Sequence, residues 1–139
     1  GFDKTGNGVG DYLEILAKNT FRFKLYFSEN IKTADFDKKQ ADGSYNYAGA
    51  DFIIKIDGNT YVNGKDYKVV DITGNAITFE ILKRSDVEDK NGNKIAEEVK
   101  GDLEISLVES PSYVTDMKGN APKAFDTIEF EDLEFKKDK

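Results

Sequence analysis

Phe21-Arg22-Phe23-Lys24-Leu25-Tyr26-Phe27 places an apolar side chain at every odd position and a polar or amphipathic one at every even position. On a pleated strand, a period of two sends the four phenylalanine and leucine side chains to one face and wets the other. The same alternation returns at Leu13 and Ile15 within residues 12–17, and at Phe52, Ile54 and Ile56 within 51–57. It is found again at Leu103, Ile105 and Leu107. Residues 66–72 and 76–82, with Tyr67, Val69, Ile77, Phe79 and Ile81 as the apolar set, read as a hairpin joined through Thr73-Gly74-Asn75. In the tail, Ile128 and Phe130 share one parity while Leu133 and Phe135 take the other. Such a slip predicts a bulge, or a strand that changes partner.

Between these stretches lie turn signals. The pentad Asp-x-x-Gly-Asn occurs four times, as Asp3-Lys4-Thr5-Gly6-Asn7, Asp71-Ile72-Thr73-Gly74-Asn75, Asp89-Lys90-Asn91-Gly92-Asn93 and Asp116-Met117-Lys118-Gly119-Asn120. An Asp carboxylate can accept backbone amides ahead of it, and Gly and Asn both tolerate the positive φ of tight turns, so each copy predicts a chain reversal. Asp57-Gly58-Asn59 and Asn63-Gly64 add two further turns, the second of a type favoured in tight hairpins. Residues 32–49 read as a connection with one short helical turn. Residues 95–100, with Ala96-Glu97-Glu98 favouring helix weakly, read as a helical turn or loop. Pro111 and Pro122 flank the last pentad and fit loops at a strand edge. Short strands at close spacing predict an all-β fold: a two-sheet sandwich of about seven to nine strands, with a small barrel as the alternative.

Composition bounds the function. A chain of 139 residues with 38% hydrophobic content is the size of one domain and can bury a core without metal or disulfide support. The net charge of -7 disfavours nucleic acid and anionic membrane surfaces, and no apolar run approaches the roughly 20 residues that span a bilayer. Cysteine and histidine are both absent, which removes disulfide scaffolds, Ser-His-Asp and Cys-His catalysis and ordinary zinc sites. Carboxylate, lysine or tyrosine chemistry is what remains for an enzyme.

Phe27-Ser28-Glu29-Asn30-Ile31, directly after the alternating strand, resembles the Phe-Ser-Glu-x-Val/Ile element of bacterial Ig-like domains of surface-layer and large cell-wall proteins. The opening Asp3 to Gly8, followed by Asp11, Tyr12, Leu13 and Glu14, is similar to the acidic stretch that leads into their first strands. Val114-Thr115-Asp116-Met117-Lys118-Gly119-Asn120 is similar to their closing turn. One departure is the extra apparent strand at residues 12–17. The resemblance implies an Ig-like β-sandwich and a passive role in spacing, lattice contact, adhesion or display on the outside of a bacterial cell. Its implied partners are neighbouring Ig-like modules or copies of the same protein, with cell-wall polysaccharide as another. The same pentad stands near both ends and the chain starts at Gly1 without a signal-like segment. This predicts a single module, residues 1–139, excerpted from a longer secreted chain, with 1–10 as linker or the tail of a preceding module.

Two constellations point to ligands. Asp3, Thr5, Asn7, Asp11 and Glu14 fall at positions 1, 3, 5, 9 and 12 of a calcium loop with Gly8 at position 6, the spacing that aims hard oxygen donors into a bent loop. The same residues also make an Asx-turn loop with solvated carboxylates. Residues 86–98 fail the calcium spacing, because aligning Gly92 puts Val87 where the first carboxylate belongs, and read as a turn. Tyr45, Tyr47 and Tyr61, in Asn-rich surroundings, are the candidates for a sugar-stacking platform, or else cap the edge of the core. Glu129 with Glu131 and Glu97 with Glu98 are the acid pairs a glycosidase would need, but alternating Glu on a wet face and a solvated turn account for them. Lys24 and Lys55, the strand lysines an isopeptide crosslink would use, carry wet-face parity. The expectation is a non-catalytic module.

Overall fold

The computed structural model describes residues 12–32, 39–44, 46–109, 111–121 and 127–138. In chain order these form β1 (Tyr12–Ile15), a 3-10 turn (Lys18–Thr20), β2 (Arg22–Tyr26), β3 (Ile31–Lys32), the one-turn helix α1 (Asn46–Gly49), β4 (Phe52–Ile56) and β5 (Asn59–Tyr61). They continue with β6 (Tyr67–Thr73), β7 (Ala76–Ile81), β8 (Ser85–Glu88), β9 (Lys94–Leu107), β10 (Thr115–Asp116) and β11 (Ile128–Asp138). The fold is all-β, and every ladder between these strands is antiparallel.

One sheet runs β1-β2-β7-β6; a second runs β11-β9-β4-β5, with β8 also paired to β9; β3 and β10 make a two-stranded ribbon. The two larger sheets face each other. Phe21, Phe23, Leu25, Val69, Ile77, Phe79 and Ile81 of the first meet Phe52, Ile54, Ile56, Leu103, Ile105, Leu133 and Phe135 of the second in one buried cluster. Ring contacts cross between the layers: Phe52 meets Phe79 edge-on with centroids 5.2 Å apart, and Phe21 meets Phe135 at 5.7 Å. The odd-numbered apolar stripe of residues 21–27 is buried along its whole length, as its period requires.

The turns follow local chemistry. Gly74-Asn75 closes the β6–β7 hairpin with Gly74 at φ +60°, and Asp57-Gly58 closes β4–β5 with both residues at positive φ, as primed two-residue loops demand. In β11 the register slips between Phe130 and Leu133, with Asp132 at φ +57°, which is the bulge the parity change predicted. A second bulge between Val69 and Asp71 moves Ile72 onto the face of Ile77.

Three expectations are corrected. Residues 95–100 are strand, not a helical turn, because residues 96–98 pair with β11 on one side and with β8 on the other. Two ladders outweigh a helix preference of a few tenths of a kcal/mol per residue. Asn63-Gly64 closes no tight hairpin, since β5 and β6 belong to different sheets. Instead the Val62 carbonyl accepts the amides of Lys65 and Asp66, and the Asp66 carboxylate accepts the Val62 amide at 2.8 Å, making a compact crossover. The described strands number eleven rather than seven to nine, the excess coming from short pieces such as β3, β5 and β10.

β9 passes along the whole second sheet and defines two poles. β1 begins with Tyr12 beside Tyr26, at the pole where Phe27, Asn75 and Asp116 gather. β11 ends with Asp138 beside Ala96, at the opposite pole, where Lys18 pairs with Glu134 and Phe21 with Phe135. The described chain thus enters the sandwich at one pole and leaves it at the other.

Candidate functional site

At the entry pole three segments distant in sequence are tied together. The Phe27 amide donates to the Asn75 carbonyl and the Asn75 side-chain amide donates to the Phe27 carbonyl, both at 2.8 Å. The Ile31 amide donates to the Gly74 carbonyl at 2.9 Å, and Ile31 pairs with Asp116 across the β3–β10 ribbon. The Phe-Ser-Glu-Asn-Ile element, the second pentad and the fourth therefore meet. Between them lies a solvent-open cleft of about 490 Å³ lined by Ser28, Glu29, Asn30, Asn75, Asp116, Met117 and Lys118.

Buried or turn-bound carboxylates fix the loops around this frame. Asp116 accepts the amides of Lys118 at 2.8 Å and Asn120 at 2.9 Å. Asp89 does the same for Asn91 and Asn93 at 2.8 and 3.0 Å, and these amides hold its carboxyl below the usual carboxylate range. The two pentads are one turn used twice. In the second pentad Asp71 instead accepts the Thr73 hydroxyl. Asp51, only 2% exposed, accepts the amides of Ser112, Tyr113 and Val114 at 2.7 to 2.9 Å. It thereby pins the loop that carries β9 into β10.

At the exit pole the inner face of β9 changes from apolar to ionic. The Arg84 guanidinium lies 3.9 Å from the centre of the Phe21 ring, donates to the Ile81 carbonyl, and reaches Glu97 of β9 and Glu80 of β7 at 3.5 and 3.7 Å. It closes the core while linking both sheets. Lys94 completes the group, 2.8 Å from Glu97 and 3.4 Å from Asp86. The Lys94 hydrogen bond lowers the Glu97 pKa, and that of Lys94 rises in return.

Of the calcium-loop residues, Asp3, Thr5, Asn7 and Asp11 lie outside the described residues. Glu14 sits in β1, its carboxylate accepting the Tyr26 hydroxyl at 2.8 Å, a contact that raises the Tyr26 pKa. Among the described residues no group of three or more acidic side chains is arranged to hold a metal. Residues 86–98 contain the turn their spacing implied, at the pentad, and around it the β8–β9 hairpin, which it did not. Of the three tyrosines, Tyr45 lies outside the described residues. Tyr47 is exposed on α1, its ring 5.6 Å from that of Tyr113. Tyr61 packs against the core from the sheet edge, with the Lys83 ammonium 5.3 Å over its ring, and burial raises its pKa. Glu129 stands opposite Glu104 on neighbouring strands, and Glu98 pairs with Lys100. Lys24 and Lys55 are half-buried strand residues opposite Glu14 and Glu104.

Sequence reading missed Asp51, Arg84 and the cleft. The pentad carboxylates were legible because the amides that donate to them lie two and four residues ahead. The amides that Asp51 holds lie 61 to 63 residues away, where no local spacing signals them.

No helix among the described residues is long and apolar enough to cross a membrane. Comparisons of the chain with family models, with curated proteins and with solved structures gave no significant match.

Proposed function

We propose that this chain is a non-catalytic structural module of a bacterial surface-layer or other cell-surface protein, an Ig-like unit set end to end with neighbouring modules or with copies of the same protein. The observation that carries this reading is the path of the described chain, in at one pole and out at the other, between turns held by carboxylates. Tension applied along that path acts parallel to the strands. β11 and β9 share nine paired positions, so a pull toward the exit pole shears the ladder and loads its bonds together. The motifs that resemble surface-layer Ig-like domains supply the location and the class of partner.

Single-molecule pulling tests the reading. Handles at Tyr12 and Asp138 shear the module, whereas handles at Asn91 and Asp138 peel β11 from β9 one pair at a time. The expected result is a clearly higher rupture force for the first geometry. Equal or lower force along the polar axis would count against a structural role.

A further inference from the structure

The entry-pole cleft is lined by a set of hydrogen-bonding groups that the other described residues leave unused. Asp116 is occupied by its own turn, and the Asn75 side-chain nitrogen by the Phe27 carbonyl. The Ser28 hydroxyl, the Asn30 amide, the Asn75 side-chain oxygen and the Lys118 ammonium remain, and none of them bonds to another described residue. Met117, 60% exposed, adds an apolar wall beside them. Part of this frame is fixed before any ligand arrives: Lys118 rides on a turn whose backbone amide Asp116 grips, and the Asn75 side chain is locked to Phe27. A fixed backbone of this kind lowers the ordering cost of binding.

We propose that this cleft binds a sugar residue bearing a single carboxylate, of the uronic-acid type. The Lys118 ammonium pairs with the carboxylate, a charge-assisted contact stronger than one between neutral groups. Ser28, Asn30 and Asn75 supply donors and acceptors for ring hydroxyls, which are themselves both. The Met117 side chain lies against the C–H face of the ring. A volume of about 490 Å³ falls within the range of small-ligand pockets. A peptide carboxylate fits less well, because it is usually captured by free backbone amides, and the amides of Lys118 and Asn120 are already taken. Polyanions such as nucleic acid are repelled by Glu29 at the cleft and by the overall charge of -7. This site is separate from Tyr47 and Tyr61, and it stands whether or not the chain is a structural module.

The test is an amide-resolved NMR titration of the whole chain with D-glucuronate, with D-glucose and acetate as parallel probes. Shifts confined to residues 28–30, 75 and 116–118 are expected with glucuronate, weaker with glucose and weakest with acetate. Lys118→Gln changes an exposed side chain that has no partner among the described residues, and should weaken glucuronate by about ten-fold while leaving glucose unchanged. Asn30→Ala should weaken both sugars. No localised shift at high millimolar glucuronate overturns the proposal. So does acetate matching glucuronate, which reduces the site to a lysine attracting any anion, or glucose matching it, which removes the role of Lys118.

Discussion

Asp51 shows how one side chain sets the geometry of a pole. Its two oxygens receive three amides, with Ser112 on one oxygen and both Tyr113 and Val114 on the other. Asn in the same place offers one acceptor, and its NH2 group meets amide donors head-on. Buried amides left without an acceptor cost about 1 to 3 kcal/mol each. Asp51→Asn should therefore lower stability by about 2 to 4 kcal/mol by chemical denaturation, and accelerate hydrogen exchange at 112–114 before elsewhere. A loss below about 0.5 kcal/mol, the usual limit for an inconsequential surface change, would show that the loop is held by other means. Tyr67 makes a parallel contribution deeper in the core. Its hydroxyl donates to the Gly49 carbonyl at 2.8 Å, and burial pushes its pKa up to about 12.

Strands and turns were the scale at which the sequence spoke most clearly, for a physical reason: alternation and turn chemistry are local. The buried stripe of residues 21–27, the β6–β7 hairpin and the bulge in β11 each follow from residues within a few positions of one another. Failures came where distant partners decide. Residues 95–100 are strand because β8 and β11 flank them. The bulge at Asp132, foreseen from parity, has a distant anchor that was not: the Asp102 carboxylate accepts the Asp132 amide at 3.0 Å. Asp102 in turn donates its amide to Asp57 at 2.8 Å, and this carboxylate crowds Gly101, where a Cβ would come within 2.6 Å of it at φ +144°. The β8–β9 hairpin extends past this clamp and relies on charge. Asp89 is held low by turn amides, Glu97 by Lys94 and Glu134 by Lys18. Each binds its proton less readily in the folded state than when open, so its contribution is present above the ordinary values of 3.8 and 4.5 and is lost as pH falls through the lowered ones. Hydrogen exchange in residues 85–98 should therefore gain protection loss in acid before β2 and β7 do. Uniform loss across the sandwich would contradict this order.

At the scale of the molecule, two antiparallel sheets clamp a phenylalanine-rich core, and the same chain connects two poles of different character. The entry pole is a tied set of turns around a polar cleft; the exit pole is an ionic hairpin capped by Arg84 on Phe21. The candidate site was only half visible in advance: all three segments that build the cleft were singled out, but nothing in any of them indicates that they would adjoin. The central claim is a stiff strut that carries the chain from pole to pole. Because the chain has no cysteine, spin labels can be placed at will, as with Asn91→Cys on the hairpin and Lys118→Cys at the cleft. β9 has 14 residues and so spans about 45 Å at roughly 3.3 Å per residue. Pulsed dipolar spectroscopy on the double-labelled chain should give one narrow distance distribution centred near about 45 to 55 Å, on the same strand rise. A broad distribution, or a centre below about 30 Å, well short of that strand length, would contradict the account.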